Sequence, residues 1–194
     1  MFIESPFPGC GSMVIGRELF HYPELDSTNE EARRLIKKGK SEGVVVIADR
    51  QTKGRGKPGS GWFSPSGNLY FSAILKPYRS PSDLAPLTLF SALAARAAIL
   101  DLIDLPVVIK WPNDLLVHGL KVAGILVEGV GDGHLIVGIG INVKTSAWPP
   151  ELGGKATSLL MATGKEVSLE CLTALLIARL NENYRTFLNH EKNI

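Results

Sequence analysis

Cysteine is scarce. Only Cys10 and Cys171 occur in 194 residues, far apart, with no Cys-x-x-Cys pair and no Cys/His cluster. That argues against a disulfide framework and against structural zinc, and leaves a loose thiol near the N-terminus and a cysteine expected to be buried in a helix. No apolar run reaches membrane-spanning length. The segment Met1 to Ser12 carries Pro6, Pro8, Gly9 and Gly11 and lacks the basic-then-apolar order of a signal peptide, so a cytoplasmic protein with no membrane partner is expected. Charge of one sign is not in excess: the formal net charge is +2, which gives no case for coating nucleic acid or binding a membrane surface. Internal repeats and low-complexity linkers are also missing. What remains is ordinary globular composition, 45% hydrophobic and 21% charged, enough for one sizeable domain.

Residues 1–16 read as a poorly ordered N-terminal arm. Arg17 to Leu25 reads as a strand. Ser27-Thr28-Asn29-Glu30 fits a capping box opening a helix that Gly39 ends. Strands are expected over 43–48, 68–76, 107–110, 114–117, 121–128 and 135–143, with His118-Gly119 as a two-residue hairpin turn and 131–133 as a second turn. Leu84 to Ile103 reads as a helix with Ser82 or Asp83 as its cap. Residues 157–163 form a short helix, and Ser168 caps a long one. Helices and hairpins in this order predict an α+β fold with a mixed sheet rather than regular βαβ alternation.

The loop Gly54-Arg55-Gly56-Lys57-Pro58-Gly59 matches G-x-G-x-x-G. A dinucleotide-binding loop of that pattern must open into a helix. Here Ser60-Gly61-Trp62-Phe63-Ser64-Pro65 follows, so that reading fails, and no G-K-S or G-K-T occurs for a P-loop. Lys53, Arg55 and Lys57 among the glycines suit a carboxylate or phosphate. A hairpin tip with solvated charges is the alternative. Fixing such a backbone costs roughly 1–2 kcal/mol per residue, most for glycine, so the loop should close only over a ligand making several contacts. Such closure would shield a reactive intermediate from water.

Lys110-Trp111-Pro112-Asn113-Asp114 follows an apolar strand; Pro112 should place Asn113 and Asp114 at a bulge or strand edge, where Asp114 could hold Mg²⁺. A plain turn is the alternative. Lys121 opens Val122-Ala123-Gly124-Ile125-Leu126-Val127-Glu128 and can either snorkel to water or aim its ammonium into a cleft. Gly138-Ile139-Gly140-Ile141-Asn142 alternates glycine with isoleucine, allowing close backbone approach.

Taken together, Asp26 to Asn29, Gln51, Gly54-Arg55-Gly56, Trp62, Lys110 to Asp114, Lys121 to Glu128 and Gly138 to Asn142 resemble the biotin protein ligases, in family order and spacing from residue 17 to about 188. The resemblance implies a catalytic domain over 17–194, on the mixed-sheet fold shared with lipoate ligases and similar to class II aminoacyl-tRNA synthetase cores. It implies that biotin and MgATP give biotinyl-5′-AMP and pyrophosphate, and that a lysine of a biotin carboxyl carrier protein then takes the biotinyl group. By position, Ser27, Thr28, Asn29, Gln51, Gly54, Arg55, Gly56, Lys57 and Lys121 would hold biotin. Lys57, Trp62, Asn113, Lys121 and Asn142 would hold ATP. Lys121, Lys57 and Arg55 would be catalytic, and Asp114 would contact Mg²⁺. Pairing through the sheet would give a homodimer.

Three features depart from the family pattern. Lys57 stands where arginine is usual, and lysine lacks the planar guanidinium fork. Too few residues precede the catalytic domain for a DNA-binding winged helix, so no DNA partner is expected. The usual SH3-like C-terminal domain, of about 50 residues, is not seen after the long helix. Two rivals share the fold: a lipoate or octanoate ligase, against which Ser27 and Gln51 argue as polar groups an aliphatic acid would leave unpaired, and a non-catalytic binder of biotin or its adenylate.

Overall fold

The computed structural model describes residues 2–4, 13–57, 59–78 and 84–191. Eight strands form one sheet: β1 (Phe2–Glu4), β2 (Glu18–Leu25), β3 (Val44–Gln51), β4 (Leu69–Leu75), β5 (Val107–Lys110), β6 (Asp114–Val117), β7 (Leu120–Gly129) and β8 (Leu135–Ile141). Their order is β1-β2-β3-β4-β8-β7-β6-β5. Among the described strands only β2 and β3 run parallel; the other pairs are antiparallel, so the sheet is mixed as expected. The helices are α1 (Thr28–Lys37), α2 (Ala85–Leu100), α3 (Leu159–Thr163) and α4 (Leu169–Glu191), with a 3-10 turn at Pro150–Leu152.

Strand alternation divides the apolar residues between two faces. Val45, Phe71, Ala73, Val137, Ile139 and Ile141 join α2 and α4 in the larger core. Val44, Val46, Ile74 and Ile136 face the other way, onto Ala32 and Leu35 of α1. On that second face Ser72, Gly138 and Gly140 continue the alternation with a small side chain or none. The fold thereby leaves a hollow over β4, β7 and β8 beside the start of α1.

Several local expectations are corrected. The N-terminal segment is not simply an arm: Phe2–Glu4 pairs with β2, Ile15 is buried, and Asn181 on α4 accepts from the amides of Val14 (2.8 Å) and Ile15 (2.9 Å). Ser27 makes no side-chain capping bond; Glu30 turns outward to arginines instead of back to the helix start. Charge-assisted bonds outbid the capping box. Helix α2 begins at Ala85 and ends at Leu100, three residues short of Ile103. The expected caps Ser82 and Asp83, like Cys10, lie outside the described residues. Cys171 is exposed on α4, not buried. Residues 111–113 form the plain turn given as the alternative, and Asp114 stands at the start of β6, the strand edge expected, paired with Lys110; the register shift lies further on, between Leu115 and Leu116. His118 (φ 50°) and Gly119 (φ 79°) make the predicted hairpin turn. Ser158 and Ser168 cap α3 and α4, accepting from Met161 N (3.1 Å) and Cys171 N (3.2 Å). Among the described residues no helix is long and apolar enough to cross a membrane.

Candidate active site

The hollow is a cleft lined by Ser27, Thr28, Asn29, Gln51, Arg55, Gly56, Lys57, Trp62, Asn113, Asp114 and Lys121, residues from five separate stretches of sequence. Ser60, Gly61, Tyr70, Gly124, Ile125, Leu126, Gly138 and Gly140 also line it.

Its floor is a continuous chain of polar groups. The Gln51 Oε1 accepts from Thr28 N (2.8 Å) and Thr28 Oγ1 (3.2 Å), and its Nε2 donates to Ser64 Oγ (2.9 Å). Ser64 in turn donates to Trp62 O (2.9 Å). The buried Ser72 hydroxyl lies 2.8 Å from Thr28 Oγ1 and 2.6 Å from Asn29 Oδ1. Asn29 Nδ2 reaches Glu128 Oε2 at 2.8 Å. Each buried polar atom in this chain is partnered, which fixes the side chains before any ligand arrives.

The lid is the glycine-rich hairpin. Arg55 bridges to Gly61 across it, and Gly56 N donates to Ser60 O (3.1 Å) and Trp62 N to Gly54 O (2.9 Å). Gly54 packs against the hairpin's return and the floor, where a Cβ would collide with Ser64 Oγ and Trp62 O and come within 3.0 Å of Gln51 Nε2. It permits this close approach rather than a special backbone angle. Arg55 is not a free cation: it pairs with Glu30 and, at 2.8 Å, with Glu128. Burial alone would raise the Glu30 carboxyl, but bonds and charge from Arg33 and Arg55 hold it below its usual value.

At the other end, Lys121 projects from a tightly held backbone. Its N–H donates to Lys155 O (3.0 Å), and its carbonyl accepts from Thr157 N (2.9 Å) and Asn142 Nδ2 (3.3 Å). Its ammonium lies 2.8 Å from Asp114 Oδ1 and 5.0 Å from the centre of the Trp62 ring. The indole rests on β7 and β8 where Gly124 pairs with Gly140; a Cβ on either would come within 2.7 Å and 2.6 Å of ring atoms. Trp62 Nε1 is buried there without a hydrogen-bond partner among the described residues. A buried donor left unpaired at a cleft is a position for an acceptor on a ligand.

Asn142 is not among those lining residues. It is buried just past β8, with Nδ2 also donating to Thr157 O (3.0 Å), so it holds the backbone of Lys121. Asn113 does line it, its Nδ2 donating to Ile125 O (3.1 Å). Asp114 is engaged with Lys121, and among the described residues no group of three acidic, histidine or cysteine side chains is placed to hold a metal. A resident metal centre at Asp114 does not fit this donor set. Sequence reading missed Ser64, Ser72, Glu30 and Glu128 in the site; each is an ordinary polar residue whose partner lies on another element.

A profile of the biotin/lipoate A/B protein ligase family matches residues 22–146. The chain belongs to that family. It is 34% identical over 189 residues to the bifunctional ligase/repressor BirA of Bacillus subtilis, which covers 94% of this chain and 58% of that protein. The chain therefore spans little more than half the length of that relative. Among solved structures, the biotin protein ligase of Aquifex aeolicus in complex with biotin and ATP superposes with a TM-score of 0.81 at 37% identity, over 88% of this chain and 72% of that one. The Leishmania major biotin protein ligase in complex with biotinyl-5-AMP gives a TM-score of 0.71 at 29% identity, over 84% of this chain and 72% of that one. The family and its α+β mixed-sheet catalytic fold thus agree with the expectation from the motifs.

Proposed function

We propose that the protein activates biotin with MgATP to biotinyl-5′-AMP and passes the biotinyl group to a lysine of a biotin carboxyl carrier protein. The observation that carries this reading is one cleft holding a preorganised polar floor, a glycine-rich lid and a cation, Lys121, on a rigid strand. Structures of relatives with biotin and ATP share this fold. Ser27, Thr28, Asn29 and Gln51 form the wall for the biotin head group, with Arg55, Gly56 and Lys57 closing over it. Trp62, Asn113 and Lys121 face the nucleotide. Gly54 and Asn142 act indirectly, Gly54 by letting the hairpin pack closely on the floor and Asn142 by holding the Lys121 backbone. Magnesium enters with the nucleotide phosphates rather than at a protein cage.

In the first step a carboxylate oxygen attacks the α-phosphorus and pyrophosphate leaves. Lys121 offsets the repulsion between the two anions and the charge that develops between them. In the second, an acceptor amine attacks the acyl carbon, AMP departs and a proton is lost. The lid keeps water from the mixed anhydride meanwhile. Magnesium ATP with biotin, lipoate or no acid distinguishes the substrates: pyrophosphate release should require biotin. Release driven by lipoate instead would replace this reading with the lipoate-ligase one. The Gln51 carbonyl is already taken by Thr28 and one of its N–H bonds goes to Ser64, so only its second N–H is left to meet a ligand acceptor.

Lys57 lines the cleft from an exposed position on the lid. A lysine there offers a point charge without the bidentate fork of arginine. Replacing it, Lys57→Arg, should slow dissociation of the acyl-adenylate by about tenfold, the scale of one charge-assisted hydrogen bond. Stopped-flow release of the intermediate checks this, and equal or faster release would contradict it.

A further inference from the structure

Glu128, at the end of β7, makes two bonds that lead to different parts of the molecule. Through Oε1 it receives Arg55 Nη2 from the lid at 2.8 Å. Through Oε2 it receives Asn29 Nδ2 from the floor at 2.8 Å. The lid side is reinforced by a ring of alternating charge: Arg55 pairs with Glu30, Glu30 with Arg33 (2.6 Å), and Arg33 with Glu128 (3.5 Å). On the floor side, Asn29 passes the constraint to Ser72, and Ser72 to Thr28, which meets Gln51. The side chain of Glu128 is only 17% exposed, the least of the four charged groups in the ring.

We propose that Glu128 is a positioning residue that couples closure of the Arg55 lid to the orientation of the Asn29 amide in the floor, so that its charge governs ligand retention. A carboxylate suits this place because both its oxygens accept, and both meet donors. An amide of the same shape offers one acceptor and one NH₂. In Glu128→Gln the NH₂ therefore faces either the Arg55 guanidinium or the Asn29 amide. Either the lid loses its latch, or Asn29 turns over and presents the reverse polarity to the cleft. Isolated exposed ion pairs contribute little, but a four-membered network with one shielded member is a stronger case.

The retention half of this inference rests on the proposed function, whereas the latch half does not. The experiment therefore has two arms on the full chain, comparing wild type, Glu128→Gln, Glu128→Asp and a control, Glu24→Gln, whose pair with Arg50 lies on the β2–β3 surface. In the first arm, hydrogen exchange of the Gly56 and Trp62 amides is measured with no ligand present. Exchange should accelerate about tenfold in Glu128→Gln, the scale of one charge-assisted bond, and not in the control. In the second, biotin-dependent pyrophosphate release should show KM for biotin raised about tenfold with kcat within about threefold, as expected when binding rather than the chemical step is weakened. Glu128→Asp, which keeps the charge, should recover part of both effects. Unchanged exchange and unchanged KM would overturn the proposal. So would a fall in kcat and thermal stability with KM unmoved, which marks a merely structural role. If wild type releases no pyrophosphate with biotin, the proposed function fails while the exchange arm still decides the latch.

Discussion

Lys121→Ala should lower biotin-dependent pyrophosphate release by about a hundredfold or more, the loss typical of removing one preorganised electrostatic contact to developing charge. The strand beneath Lys121 is held by Lys155 O, Thr157 N and Asn142 Nδ2, all of which contact its backbone. The substitution removes the ammonium and leaves those bonds in place. Thermal stability should therefore change little, and the loss should appear in kcat more than in the KM for biotin. The ammonium also spans the Asp114 carboxylate and the Trp62 ring. Lys121→Arg should retain more activity than alanine because the charge remains, although its fork cannot match the geometry. A Lys121→Ala protein with wild-type release would remove Lys121 from the reaction and with it the main electrostatic argument for acid activation.

The strand order could not be read from the sequence, but the strands themselves largely could. The hairpin at His118-Gly119 and the glycine–isoleucine alternation of β8 are local patterns with a local cause: left-handed backbone and side-chain period. Ser168 as a cap was legible because its hydroxyl accepts from an amide three residues on. The failures share a different cause. Arg55 looked like a cation awaiting an anion, because its acids stand 25 and 73 positions away. Glu30 looked like a capping residue until those arginines competed for it. Asn142 looked like a ligand contact at a strand end, but its amide turns back to hold Lys121. Gly140 was legible as a close approach and Gly54 only as part of a flexible loop, and the fold identifies what approaches each. For Gly54 it is the far side of its own hairpin; for Gly140 it is Trp62.

Gly140→Ala follows from that contact and should nearly abolish activity while sparing the fold. The added Cβ would fall 2.6 Å from Cε2 and 2.7 Å from Nε1 of the Trp62 indole. The ring has little room to slide, since Gly124 touches it on the neighbouring strand and the Lys121 ammonium sits 5.0 Å from its centre. Its backbone is held by Gly54 O on one side and Ser64 Oγ on the other. Relief must come from swinging the indole off the sheet, which pulls on the lid. Gly140 does not have the positive φ seen at the turn glycines, so alanine suits the strand itself. Overpacking elsewhere would cost about 1–3 kcal/mol, but here the clash falls on a loop that can open. We therefore expect biotin-dependent release to fall by about a hundredfold, as when catalytic groups are displaced by an ångström or more, with a melting temperature near wild type. Gly138→Ala supplies the contrast: its Cβ would strike the Asn29 amide, which Ser72 and Glu128 hold in a buried network. That variant should lose stability as well as activity. Thermal melts beside pyrophosphate release separate the two cases. If Gly140→Ala were fully active, Trp62 would not work from the glycine floor, and the cleft would need a different wall.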